Sequence, residues 1–212
     1  MKMGKKTMEL GDEFRSAGRK GVEFRGAPFW SWNDALEPRE LRRQVREMAR
    51  VGLGGHFMHA RAGLITEYMG DHWMRCIGAA IAESKKQGIK AWLYDEDTWP
   101  SGFAGGAVRA KGPEYWAKYL HMEAVAPGDL QLKEHTVALF AACKTGTGLA
   151  DFRRISHEQA LTATTDTILH VYWATRYYVD LLSEKVVRTF IDEQYEPYRR
   201  KFKQHFGKTI PG

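Results

Sequence analysis

The sequence predicts an α/β protein, a partial (β/α)8 barrel of the TIM type with an inserted β-rich subdomain, on three observations. Short apolar runs alternate with amphipathic helical stretches from Pro28 onward, the pattern of βα units on a parallel sheet. Polar and aromatic residues gather after each of the first three runs. Sites built from successive strand ends are the habit of a barrel, whereas a doubly wound nucleotide-binding sheet carries a glycine-rich phosphate loop after its first strand. Finally, the rhythm breaks after Gly106, turns β-like, and becomes helical again near Ser183.

Taken in order, P-F-W-S-W-N from Pro28 reads as the first strand, followed by a helix from about Glu37 to Val51. Leu41, Val45 and Met48 fall on one stripe of that helix and the arginines on the other, as expected where a helix packs on a sheet. Asn33 or Asp34 supplies the start signal, and Pro38 suits an early helical position. G-H-F-M-H-A is the second strand. A helix from about Gly70 to Gln87 follows, with Trp73, Ile77, Ala80, Ile81 and Ser84 inward. R-V-G-L and K-Q-G-I close the two helices alike, each placing Gly where a left-handed residue is wanted. The third strand is K-A-W-L-Y-D. Gly102, Gly105 and Gly106 come after it and lack the G-x-G-x-x-G spacing.

Beyond Gly106, strands are expected over Tyr115 to Val125, His135 to Lys144 and Thr167 to Arg176, with turns at Pro127-Gly128-Asp129 and Thr145-Gly146-Thr147-Gly148. A helix is expected from about Ser183 to Phe206, turning Val187, Phe190, Ile191, Tyr195, Tyr198 and Phe202 inward, divided or kinked at Pro197 and stopped at Gly207. The segments are therefore a lead-in (1–27), the first βα units (28–108), an inserted β-rich subdomain (109–176) and a return to barrel helix (177–212). Barrels of this kind run to roughly 250 residues, so the chain is expected to be the amino-terminal portion of a longer barrel. Its open edges predict self-association.

The chain has 212 residues, 43% of them apolar, and a net charge of +6. That size and apolar content suffice for a packed core. Basic residues interleave with acids along helix faces and form no stripe between stacking aromatics, which argues against a nucleic-acid partner. With no membrane-length apolar run and no signal-peptide h-region, a cytoplasmic protein without a membrane partner is expected. Cys76 and Cys143 lie in apolar segments and read as reduced core thiols.

The segment with most chemistry is Lys90 to Gly106, K-A-W-L-Y-D-E-D-T-W-P-S-G-F-A-G-G. Three adjacent acids at a strand end must be solvated, paired or hydrogen-bonded to stay ionised, although a helix cap would account for one of them. Asp95 and Asp97 are candidate polar contacts for substrate, and Glu96 is the candidate acid. Along the strand, Trp92, Tyr94 and Glu96 would face one way and Ala91, Leu93 and Asp95 the other. Trp32 and Trp99 suit stacking on an apolar face of a ligand or ordinary packing. Asn33, His59 and Arg61 follow strand ends and suit hydrogen bonding to substrate. His56 and His59 form H-x-x-H, but residues three apart on a strand point to opposite faces, so they are not a chelating pair. No cofactor is expected, while strand-end carboxylates leave room for a structural calcium ion.

The runs F-W-S-W-N-D, E-L-R-R-Q-V-R-E-M-A-R-V-G-L-G-G-H-F-M-H-A-R-A-G-L and D-E-D-T-W-P-S-G resemble the start of the catalytic barrel of bacterial glycoside hydrolases akin to α-L-rhamnosidases. The late segment Y-E-P-Y-R-R-K-F-K-Q-H-F-G-K-T-I-P-G looks like the helix before that family's next barrel strand. The resemblance implies a (β/α)8 barrel with inserted β-domains, a carbohydrate substrate, rhamnosides included, and cleavage by two carboxyl groups. Such a pair stands about 5 to 5.5 Å apart in retaining enzymes and about 6.5 to 9.5 Å apart in inverting ones. Adjacent acids on one strand end cannot straddle a sugar in that way, so Asp95, Glu96 and Asp97 supply at most one of the two roles. The alternative is a carbohydrate-binding or assembly module that lacks the chemistry.

Overall fold

The computed structural model describes residues 10–12, 21–97, 99–164 and 167–211. Most of the amino-terminal lead-in, Thr98 of the acidic block, and Gly212 lie outside them. The chain divides into two compact units, one formed by residues 1–110 with 184–212 and the other by residues 111–183.

The first unit is a parallel sheet in which β1 (Phe29–Trp32), β2 (Gly55–Ala60) and β3 (Lys90–Leu93) lie side by side in chain order. Phe29, Phe57 and Trp92 share one register line, as do Trp30, Met58 and Leu93. Alternation along the strands then sorts the side chains. Trp30, Trp32, Met58, Ala60 and Ala91 turn into a core with helices α1 (Pro38–Arg50) and α2 (Asp71–Gln87). Leu41 and Val45 of α1 and Trp73, Ile77, Ala80, Ile81 and Ser84 of α2 are buried there. The opposite face carries an aromatic row in which Phe57 stacks on Trp92 at 4.9 Å and His59 meets Tyr94 at 4.3 Å. Gly55 makes that row possible, because a Cβ there would stand 2.4 Å from the Trp92 ring.

Helix α1 begins differently from expectation. Its N-cap is Glu37, with no side-chain cap bond. Asp34 instead accepts a bond from the adjacent Ala35 N–H, and Pro38, which has no N–H to satisfy, opens the helix. Gly52 and Gly88 just past the two helices have φ of 88° and 72°, the left-handed conformation that only glycine adopts freely.

The late helical segment comprises α4 (Glu184–Phe190), a π turn (Ile191–Tyr195) and α5 (Glu196–Phe202). Val186, Phe190, Gln194, Tyr198 and Phe202 are its buried residues, four apart throughout. At 3.6 residues per turn, such a row drifts about 40° at every step, and the wider i→i+5 turn takes up part of the drift. The inward row therefore includes Val186 and Gln194 in place of the expected Val187, Ile191 and Tyr195. After Gly207, Thr209 O accepts a bond from Ala91 N, so this segment runs against the outer edge of β3.

The second unit is an antiparallel sheet in the order β4-β7-β5-β6, formed by Trp116–Val125, Thr167–Val179, Thr136–Thr145 and Gly148–Ile155. Strand β6, absent from the sequence reading, pairs with β5 through a tight hairpin closed by Thr145 and Gly148. Helix α3 (His157–Thr162) packs Ala160 against Leu139, Ala141 and Ile168. Its Ser156 and Gln159 form a reciprocal capping box.

Candidate functional site

Three loops follow the carboxyl ends of β1, β2 and β3, and main-chain bonds tie the first two together. Trp32 O and Asp34 O accept from Arg61 N and Ile65 N, and Leu36 N donates to Thr66 Oγ1. Gly63, with φ of 98°, sits so close to the Asn33 main chain that a Cβ would come within 2.9 Å of its carbonyl oxygen. The third loop meets the second where Gly105, with φ of 65°, lies against the Tyr68 ring.

A groove of about 570 Å³ runs between these loops, lined by Ala60 to Tyr68, Asp97 and Trp99. It brings Arg61, Asp97 and Trp99 to one place. Asp97 Oδ1 accepts from Gly105 N at 3.1 Å. Trp99 presents 78% of its surface to solvent, and the Arg61 side chain is exposed. A cation, a carboxylate and an indole face around an open groove can meet the hydroxyls and the apolar face of a sugar.

The other two acids lie apart from the groove lining. Glu96 is buried, with 2% exposure, and Ser101 Oγ reaches its Oε2 at 3.3 Å. Tyr94 also hydrogen-bonds Glu96; burial chiefly, and then this bond and the nearby negative charge, raise the pKa of the Tyr94 hydroxyl and keep it protonated. Asp95 takes the Ser101 hydroxyl on Oδ1 at 3.0 Å and the Tyr195 hydroxyl on Oδ2 at 2.7 Å. One serine hydroxyl thus faces two carboxylates and donates to one at a time. Asp95 also borders a second cavity of about 250 Å³ with Leu93, Tyr94, Gln194, Tyr195, Tyr198 and Phe206.

His59 is buried between Phe29 and Tyr94 on the aromatic face. Burial first, and then the Arg61 charge, lower its pKa. His56 points to the helices, where its Nε2 lies 2.8 Å from Ser84 Oγ. Trp32 does not join the group. It is 2% exposed and packs edge-on against Trp30 and Trp73, so packing rather than stacking is the role its position gives it. Asn33 is exposed beside the β2 loop.

Sequence reasoning missed a polar chain behind the groove. Gln194 Nε2 donates to Tyr68 Oη at 2.7 Å, Tyr68 hydrogen-bonds Tyr198, and Trp73 Nε1 donates to Tyr198 Oη at 2.8 Å. The only sequence signal was an inward polar residue in an aromatic-rich helix.

No protein-family model matches the chain, and no curated protein matches it. Among solved structures, the chain is similar to a rhamnosidase from Novosphingobium sp. PP1Y, at 15% sequence identity and a TM-score of 0.41. The match covers 68% of this chain and 17% of that one. The fold is mixed α/β, a parallel sheet with helices on one face and an antiparallel sheet in the second unit, and among the described residues no helix is long and apolar enough to cross a membrane.

Proposed function

We propose that this chain is part of a (β/α)8 glycoside hydrolase whose sugar site is the groove at the ends of β2 and β3. The observation that carries the reading is the convergence there of Arg61, Asp97 and the exposed Trp99, with Asp97 following in sequence a buried carboxyl, Glu96. The barrel is supported by strand order that follows chain order, by helices that, among the described residues, cover one sheet face, and by an aromatic face opposite. The resemblance to α-L-rhamnosidases agrees and suggests rhamnosides.

In this reading Glu96 supplies one of the two carboxyl groups, Asp97 and Arg61 hold sugar hydroxyls, and Trp99 stacks on the ring. Asp95, with both oxygens already hydrogen-bonded, fixes the strand end. Glu96 has adjacent acids but no partner across a sugar ring among them, since the second carboxyl must stand on the opposite side of the scissile bond. The same internal bonds of Asp95 and Asp97 favour a second reading, a carbohydrate-binding module without chemistry.

Hydrolysis of a panel of nitrophenyl glycosides, rhamnoside included, tests the first reading against the second. Turnover of at least one sugar that falls about a hundredfold or more in Glu96→Gln supports the catalytic role. Turnover untouched by that substitution removes Glu96 from the mechanism, and sugar binding with no turnover leaves the binding module.

A further inference from the structure

The π turn puts two successive side chains to work on two different loops. Gln194, on the inward row, donates to Tyr68 Oη at 2.7 Å, and Tyr68 is a wall of the groove. Tyr195, the next residue, donates to Asp95 Oδ2 at 2.7 Å. In a continuous α-helix adjacent side chains diverge by about 100°, and the underwound turn brings this pair closer to one side. Burial, and then the bond and charge of Asp95, raise the pKa of Tyr195, in keeping with a protonated phenol that donates to a carboxylate. Beyond Asp95 the connection continues to Ser101, whose single hydroxyl proton lies within reach of both Asp95 and Glu96.

We propose that the π turn Ile191–Tyr195 is a positioning element that couples the groove wall to the carboxylates, through Gln194 on Tyr68 and Tyr195 on Asp95. Tyr195 is then a positioning residue. By holding Asp95 Oδ2 it fixes where Oδ1 stands, and thereby whether the Ser101 hydroxyl goes to Asp95 or to Glu96. A ligand that moves the Tyr68 ring moves the turn, and the turn moves Asp95. The functional meaning of this coupling rests on the groove being a sugar site, but the coupling itself does not.

Two measurements separate those claims. The first is a double-mutant cycle in urea unfolding with Tyr68→Phe and Asp95→Asn, repeated in a Tyr195→Phe background. The Tyr195 ring is half exposed, so losing one hydroxyl leaves the helix packed. Unlinked sites add within about twofold in the unfolding constant. The proposal expects departure from additivity of about fivefold or more, erased when the Tyr195 hydroxyl is gone. Additivity in the parent protein overturns it. Coupling that survives Tyr195→Phe also overturns it, because the Asp95 charge acts on Tyr68 through space as well and would then be the whole effect.

The second measurement is a titration with methyl α-L-rhamnopyranoside, following the Trp99 indole and Asp95 carboxyl signals by NMR. Movement of both in the parent and of Trp99 alone in Tyr195→Phe is the expected result. Equal movement of Asp95 in the two proteins refutes the coupling. A motionless Trp99 in the parent refutes the sugar site, and the unfolding cycle then judges the turn by itself.

Discussion

Acidification should weaken this protein chiefly through His56. Its ring is fully buried against α2, bonded through Nε2 to Ser84 and edge-on to Trp30 at 4.9 Å. Burial lowers its pKa from 6.5 to about 4. Below pH 6.5 the unfolded chain therefore takes up a proton that the folded chain refuses, so stability falls as pH drops from about 6.5 to about 4 and is level on either side. The full difference of 2.5 pKa units amounts to about 3.4 kcal/mol, and about 2.5 kcal/mol of it is gone by about pH 4.5. Against a usual total of roughly 5 to 15 kcal/mol, that loss is large. Urea unfolding at a series of pH values, read by tryptophan fluorescence, measures it. Of the seven tryptophans, Trp30, Trp32, Trp73, Trp92 and Trp99 lie in the first unit and Trp116 and Trp173 in the second, so the signal is weighted toward the unit that holds His56. His56→Gln removes the titration, and the stability gap between parent and variant should narrow by about 2.5 kcal/mol between about pH 7.5 and about pH 4.5. A gap that stays constant, or a His56 ring that titrates near 6.5 in NMR, would falsify the burial argument.

Gly55→Ala should destabilise the first unit by about 1 to 3 kcal/mol, since the new methyl meets the Trp92 ring and the Lys90 carbonyl within 2.5 Å; an unchanged melting temperature would mean that β2 and β3 pair in another register. Asp95→Asn should bring Tyr195 down part of the way toward the ordinary tyrosine range, because burial is the larger cause of its raised pKa; ultraviolet titration at alkaline pH reads this, and an unmoved Tyr195 would contradict the 2.7 Å bond. Trp99→Ala should leave stability within about 0.5 kcal/mol, the ring being mostly in solvent, while weakening sugar binding by about 0.5 to 1.5 kcal/mol. A large stability loss there would recast Trp99 as a packing residue.

What the sequence made legible was whatever depends on neighbours in the chain. The stripe of Leu41 and Val45, the inward row from Trp73 to Ser84, and the glycines at 52 and 88 each follow from local periodicity or a local backbone requirement, and the structure places them accordingly. The opposite facings of His56 and His59 follow from strand alternation alone. Strand β6 was hidden because it is a mostly exposed edge strand in which Leu149, Ala150, Phe152 and Ile155 do not alternate with polar residues. Helix α3 left a readable sign, Ser156 three residues before Gln159. The partners of the acids were out of reach: Tyr195 lies 100 positions from Asp95, and nothing in local spacing connects them. Trp32 and Trp99 look equivalent as aromatics after strand ends, and only burial separates the packed one from the exposed one. Gln194 lies four residues from both Phe190 and Tyr198, on the row they define, but the neighbouring Ile191 and Tyr195 offered an apolar alternative that local spacing could not reject.

The most direct test of the sugar site is an NMR titration of the parent protein with methyl α-L-rhamnopyranoside and a set of other methyl glycosides, with signals assigned along both units. Saturable shifts confined to Arg61, Tyr68, Asp97, Trp99 and their neighbours, together with Gln194, Tyr195 and Asp95, and lost in Asp97→Asn, are the predicted result. Shifts spread over the second unit, or none for any sugar, would contradict a carbohydrate site at the ends of β2 and β3.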